Sequence, residues 1–378
     1  MNFTRAPVYQ VVDGLKYSKV YVPEYVRAAR AYRPQDDDLV LVSYLKCGNN
    51  WLEQIVQLIL HGMARRHVPV YHVIDGLKYA KTYLPESVRN ARDYMPHDDD
   101  LVMVSYLKCG NNWLEQIIQL ILHRGESAEN YAEFHRRCPY PEMTGMRYLN
   151  EMQPPRFFKT HFSYEHQLKN PRAKYIYLTR NPLDVCVSFY YYVRGAASYE
   201  FEDGTFDDFV EAFIAGDVER GDYCDHLLSW YPCRHEENIF FLTYEELKKD
   251  FKNTVLSLAG FMGQQYRDML EHDGNIYANV VERSAIPFMS KLCHVDEALL
   301  DSLTEKDRPF LEGYRRFTAT TNSRLKSGKN IVRKGVVGDW RSHFTERHID
   351  VFREWIARKK AAGVIREIWG DMDLGGIV

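Results

Sequence analysis

Leu101-Val-Met-Val-Ser-Tyr106-Leu-Lys108-Cys109-Gly110-Asn111-Asn112-Trp113, running on to Leu122, is the stretch that decides the fold. Leu101 to Tyr106 has strand character and Gly110 marks a turn. Beyond it Trp113, Ile117, Leu120 and Ile121 recur at i, i+4, i+7 and i+8, the spacing of one buried helix face. Strand, glycine turn and helix in this order make half of a βαβ unit. The turn also has chemistry. Backbone N–H groups at a helix N-terminus attract an anion, and Gly110 lets the chain come close to a phosphate. Lys108 adds a positive charge, and the Asn111 and Asn112 amides add donors. The Walker A spacing, GxxxxGK[ST], is absent.

Strand and helix go on alternating. Arg156–Thr160, Lys174–Thr179 and Asn238–Thr243 read as strands. Asn181 is a good N-cap and Pro182 suits the first helical position. Thr205-Phe-Asp-Asp208 has the form of a capping box ahead of Phe209, Phe213 and Ile214. A helix is expected from about Glu245 to Ala259, stopped by Gly260. Such alternation favours a parallel sheet with helices on both faces, and ligands of these sheets lie at the carboxyl ends of the strands. The expected fold is α/β, a single domain with a central parallel sheet flanked by helices and a P-loop-like nucleotide-binding architecture.

The segment is written twice. Val8–His61 and Val70–His123 align without a gap at an offset of 62, with 42 of 54 positions identical. Two copies are too few for a stacking array, which needs about three repeats. A duplicated exon or a merged gene model explains the pair more simply than a functional tandem. The expected organisation is a copy of the N-terminal βα segment over residues 1–69, outside the main sheet, followed by one α/β domain over residues 70–378. The displaced copy would still carry an apolar helix face of Trp51, Ile55, Leu58 and Ile59.

Composition narrows the class. The chain has 378 residues, 45% hydrophobic and 27% charged, which is ordinary for a soluble globular protein. A net charge of −3 argues against a protein that coats nucleic acid, while leaving room for a local basic pocket. The start, MNFTRAPVYQ, lacks the basic and apolar regions of a secretory signal. No run approaches the roughly 18 apolar residues of a membrane span. The seven cysteines form no CxxC pair or His/Cys cluster, so reduced thiols in a cytoplasmic protein, without metal, are expected.

Two further segments are basic. In Tyr177-Leu-Thr-Arg180-Asn-Pro-Leu-Asp184-Val-Cys-Val-Ser188, Arg180 ends a strand and Ser188 follows about two helical turns later, so both can face one ligand above the sheet. A surface arginine paired with Asp184 is the alternative. In Arg333-Lys334-Gly335-Val-Val-Gly338-Asp339-Trp340, two cations and a glycine make a nest for a dianionic phosphate, or else a solvated basic loop.

Together the three segments closely resemble the phosphosulfate loop (YPKSGTTW), the 3′-phosphate motif (RNPxDVxVS) and the RKGxxGDW motif of cytosolic sulfotransferases. The resemblance runs in order from about Val70 onward. It includes Lys159-Thr-His161, similar to the family's KTH, and Thr243-Tyr244-Glu-Glu-Leu247, similar to its YEDM-type segment. The resemblance implies 3′-phosphoadenosine 5′-phosphosulfate (PAPS) as co-substrate. Lys108, Gly110, Asn111 and Asn112 would hold the 5′-phosphosulfate. Trp113 and Tyr244 would bracket the adenine, with Ser284 near it. Arg180, Ser188, Arg333, Lys334 and Gly335 would bind the 3′-phosphate. His161 would be the general base, with Lys108, Lys159 and Ser188 completing the catalytic set.

The sequence also departs from the pattern. Leu107, Cys109, Asn111 and Asn112 stand where the family has Pro, Ser and paired Thr. Cys109 at a helix N-terminus could be read as a nucleophile, but the loop lacks the arginine that a cysteine phosphatase needs. The family's dimer motif, KxxxTVxxxE, appears as Arg341, Thr345, Glu346 and Asp350, with a charge in place of valine, so a homodimer through it is doubtful.

The expected acceptor is a small hydroxyl- or amine-bearing molecule, a phenol or catecholamine ahead of steroids and other alcohols. Phe157, Phe158, Phe162, Phe189 and Tyr190 to Tyr192 could line an apolar pocket that orients it, though such residues are more often simply core. The rival reading is a catalytically weak or inactive nucleotide- or phenol-binding protein on the same fold. A small-molecule kinase is disfavoured by the missing Walker A loop.

Overall fold

The structure is a computed structural model that describes residues 9–13, 15–18, 23–31, 68–318, 329–330 and 333–378. The chain forms two compact units, Met1–Arg65 and Arg66–Val378.

In the first unit, β1 (Tyr9–Val12) and β2 (Leu15–Ser18) pair antiparallel with Val12 opposite Leu15. A helix follows over Pro23–Ala31. Arg27 reaches back to Asp13, at 3.4 Å. The strand-like run, turn and apolar helix face read in this copy, Leu39 to Ile59, lie outside the described residues.

The second unit starts the same way, 62 residues later. β3 (His72–Ile74) and β4 (Leu77–Tyr79) form a hairpin, followed by a helix over Pro85–Arg92. Asp75 (φ 49°) and Gly76 (φ 86°) both hold positive φ, as the tight turn of a two-residue hairpin requires. Arg89 and Arg92 bind Asp75 at 2.9 and 2.8 Å, repeating the Arg27–Asp13 pair.

The main sheet is fully parallel, in the order β6 (Phe157–Thr160), β5 (Leu101–Ser105), β7 (Lys174–Thr179), β8 (Ile239–Thr243). Its inner strand β5, wholly buried, comes from the second copy of the repeat. The chain leaves β5 for β6 on one side and returns to β7 on the other. The β5/β7 junction is therefore the switch point where such sheets bind ligands.

The caps read from the sequence form. Asn181 accepts from Asp184 N ahead of the Pro182–Arg194 helix, and Thr205 and Asp208 make a reciprocal capping box.

Two helix expectations are corrected. Glu245–Ala259 is two helices, Tyr244–Lys249 and Phe251–Met262. The break falls at Asp250 (φ −137°), whose carboxylate caps the second helix through Asn253 N, and Gly260 lies inside that helix. A local N-cap outcompetes continuation. The Asn111–Leu122 helix is not buried on one face only, since Leu114 through Ile121 are all enclosed. The helices Phe251–Met262, Gln264–His272 and Gly274–Arg283 pack against it. Its polar residues find partners inside: Glu115 meets Lys159, and Gln119 donates to Phe134 O at 2.9 Å.

Candidate active site

The turn after β5 is held by unusual backbone. Lys108 has φ 68° and Gly110, at the N-cap, φ 102°. A Cβ on Gly110 would stand 2.5 Å from the Tyr244 ring, so only glycine lets that ring close over the turn. Asn111 Oδ1 accepts from Ser105 Oγ at 2.8 Å, and Asn112 Nδ2 lies 3.5 Å from the Tyr131 hydroxyl. Lys108 Nζ sits 4.3 Å from the centroid of the Tyr192 ring. Cys109 is fully enclosed and burial pushes its thiol far up, so it is no nucleophile.

Arg180 follows β7 directly. It pairs with Asp184 at 3.2 Å, as one reading expected, but it is buried and not at the surface. Its Nη2 donates to Val336 O at 2.7 Å, its guanidinium lies 4.4 Å from the Tyr244 ring centroid, and its Nε is enclosed without a partner. Val336 belongs to the third segment. There Asp339 accepts from Lys334 at 2.8 Å and pairs with Arg333 at 2.6 Å. Burial pushes the Asp339 carboxyl up, but Lys334 and Arg333 outweigh it and hold the group below the usual range. The Nε of Arg333 is also enclosed without a partner. Gly335 holds φ 63°, in the left-handed region that favours glycine, so this loop too is shaped by its glycine.

Lys159 and His161 leave the end of β6. Lys159 Nζ donates to the buried Glu115 at 2.5 Å. Burial pushes the Glu115 carboxyl up to about 7 against the pull of Lys159. His161 Nδ1 lies 2.8 Å from the carbonyl oxygen of Ser105. A carbonyl only accepts, so Nδ1 carries the proton and Nε2 the lone pair. Burial, then the nearby charge of Arg220, hold the ring well below the ordinary histidine range.

These groups meet in one cavity of about 620 Å³. Lys108, Gly110, Asn111, Asn112, Trp113, Lys159, His161, Arg180, Ser188, Tyr244, Arg333, Lys334 and Gly335 all line it. Ser284 lines a second hollow of about 190 Å³ that shares Trp113, Tyr244 and Gly335 with the first. Trp113 and Tyr244 touch edge to face, 5.2 Å apart at 64°. They form one angled wall shared by the two hollows.

The aromatic residues divide between the two readings, most of them going to the core. Phe157, Phe158, Phe162, Phe189 and Tyr190 belong to the core, and of that group Tyr191 and Tyr192 reach the cavity. Further lining comes from elsewhere in the chain: Tyr83, Tyr131, His135, Tyr140, Met143, Val295 and Phe310. These are scattered through the sequence, and no local signal joins them.

Among the described residues, no group of three or more His, Cys, Asp or Glu side chains could hold a metal, and no helix is long and apolar enough to cross a membrane.

The sulfotransferase domain model matches residues 98–364. Sulfotransferase 2B1 of Rattus norvegicus is 32% identical over 295 residues, 76% of this chain and 78% of the relative. The 3-alpha-hydroxysteroid sulfotransferase of Cavia porcellus is 29% identical over 300 residues, 76% and 93%. The mouse sulfotransferase SULT7A1, solved with PAP, superposes with a TM-score of 0.58 at 25% identity, covering 80% of this chain and 99% of that one. The chain belongs to the sulfotransferase family and is a PAPS-dependent sulfotransferase.

Proposed function

We propose that the cavity transfers the sulfuryl group of PAPS to the hydroxyl of a small, neutral, ring-bearing acceptor, a phenol or an alcohol. The observation that supports this most is the meeting of Lys108, Arg180, Arg333 and Lys334, from three separate loops, with a neutral His161 in one cavity.

Lys108, Gly110, Asn111 and Asn112 hold the 5′-phosphosulfate. Arg180, Ser188, Arg333, Lys334 and Gly335 hold the 3′-phosphate, and Trp113, Tyr244 and Ser284 border the adenine. PAPS supplies the transferable group. His161 Nε2 takes the proton of the acceptor hydroxyl as its oxygen bonds sulfur, while the bond from sulfur to the nucleotide's bridging oxygen breaks. Lys108 stabilises the negative charge that grows on that oxygen. The sulfate ester and 3′,5′-phosphoadenosine (PAP) leave. Positioning and charge do most of the work, as in phosphoryl transfer. The ammonium of Lys159 is already shared with Glu115, so its help to the transferring group is indirect.

Catecholamines fit less well. Among the described residues that line the cavity there is no carboxylate to pair with an ammonium. The catalytic unit is residues 70–378, whose own Lys108 adjoins the sheet, and the first copy of the repeat lies outside this reading of the site. The six described cysteines are free thiols and suit a cytoplasmic setting. The altered dimer motif is engaged within the chain: Arg341 binds Asp373, Thr345 caps the helix Glu346–Arg358, and Asp350 binds Arg353.

The test is transfer of labelled sulfate from PAPS to a panel of phenols, sterols and amines. Phenols or sterols should be turned over and cationic amines should not. Tight nucleotide binding without turnover of any acceptor would favour the inactive binding protein instead.

A further inference from the structure

His135 stands on the short helix Tyr131–Arg137 and lines the same cavity as His161. It is 8% exposed. Its ring is packed by aromatic neighbours, with Tyr131 at 4.5 Å edge to face and Phe310 at 5.4 Å between centroids. Its Nδ1 is enclosed and has no hydrogen-bond partner. Buried polar groups are nearly always hydrogen-bonded, so one without a partner at a cavity wall asks for an explanation. The ordinary role of a core histidine, bonding a local backbone group, is not filled here. Burial, and then the charge of Lys159, keep the ring neutral. A neutral imidazole has one donor and one acceptor, so it can bind a hydroxyl or a carbonyl. The Tyr131 hydroxyl beside it already faces Asn112 Nδ2, and those of Tyr83 and Tyr140 face each other, so this imidazole is a polar group of the lining left without a partner.

We infer that His135 is a specificity residue that hydrogen-bonds a second oxygen of the acceptor, a hydroxyl or ketone on the ring frame whose other hydroxyl is presented to His161. The preferred acceptors are therefore diols and hydroxyketones on a ring system, ahead of simple phenols and alcohols. The inference rests on reading this cavity as the acceptor site.

Equilibrium binding to the full chain saturated with PAP tests it without depending on turnover. The probes are matched pairs: para-benzylphenol against bisphenol F, and estrone against its analogue lacking the ketone. The wild type should bind the two-oxygen member about tenfold or more tightly, the worth of one hydrogen bond with a partner otherwise left unpaired. His135→Leu should erase that preference, His135→Gln should keep part of it, and PAP affinity should be unchanged in both as the check on folding. Equal affinity within both pairs in the wild type would overturn the inference. So would a preference that survives His135→Leu, or His135→Phe if the leucine variant fails to bind PAP. Failure to transfer labelled sulfate would count against the proposed function alone, because the binding preference is read separately.

Discussion

The carboxylate of Asp184 accepts the backbone N–H groups of both Gly338, at 2.8 Å, and Trp340, at 3.0 Å. One buried side chain therefore ties the RKGVVGDW segment to the helix that follows β7. It also pairs with Arg180 at 3.2 Å. The two parts of the proposed 3′-phosphate site are 156 residues apart in sequence at Asp184 and Trp340 and are held together at this point.

Asp184→Ala should therefore loosen the loop that presents Arg333 and Lys334. We expect PAP affinity to fall about 10- to 100-fold, since each charge-assisted bond contributes on the order of 1.5–3 kcal/mol. Affinity for adenosine monophosphate should change much less. Calorimetry with both nucleotides checks this, and an equal loss for both would contradict it.

Glu115→Gln should destabilise the fold. Glu115 is fully buried and Lys159 nearly so, and removing one partner leaves a buried charge uncompensated. The cost should be about 3–5 kcal/mol, whereas a double change of Glu115 and Lys159 to methionine should cost less. Thermal unfolding of the two variants decides it. A glutamine variant as stable as the wild type would mean the pair is not the buried contact described.

The acid limb of kcat/KM should lie well below pH 6.5. His161 must be neutral to accept a proton, and its folded pKa is lowered by burial and by Arg220. Lowering the pH through 6.5 thus leaves the base neutral, and activity falls only on reaching the depressed value. A pH profile of sulfuryl transfer measures this. A limb at or above 6.5 would contradict it.

Much of the lining of the candidate site was legible because anion-binding patterns are short and local. Lys108 with Gly110, Arg180 with Ser188, and Arg333-Lys334-Gly335 each read as anion sites, and the structure lines one cavity with all of them. The caps at Asn181 and Thr205 were legible for the same reason, since side chain and backbone partners lie within a few residues. The acceptor wall was not. Tyr83, His135, Tyr140 and Phe310 meet only through the tertiary fold, and an aromatic residue looks the same in sequence whether it is core or lining. Phe158 and Phe189 proved to be core. The hairpin at Asp75-Gly76 could have been found, because Asp-Gly between apolar runs is a strong turn signal. The helix break at Asp250 was hidden by unbroken helical periodicity around it.

The repeat supplies its own comparison. Lys108→Ala should abolish transfer, whereas Lys46→Ala should leave it at or near the wild-type rate, since β5 of the sheet comes from the second copy. A chain starting near Val70 should stay active. Inactivation by Lys46→Ala would reverse the assignment.

The measurement that tests the account most directly is single-turnover transfer of labelled sulfate from PAPS by His161→Ala, with PAP affinity determined in parallel. The account predicts loss of transfer by at least about 100-fold, the usual scale of general base catalysis, with nucleotide affinity nearly unchanged. A variant that keeps most of its turnover would contradict His161 as the base and the mechanism built on it.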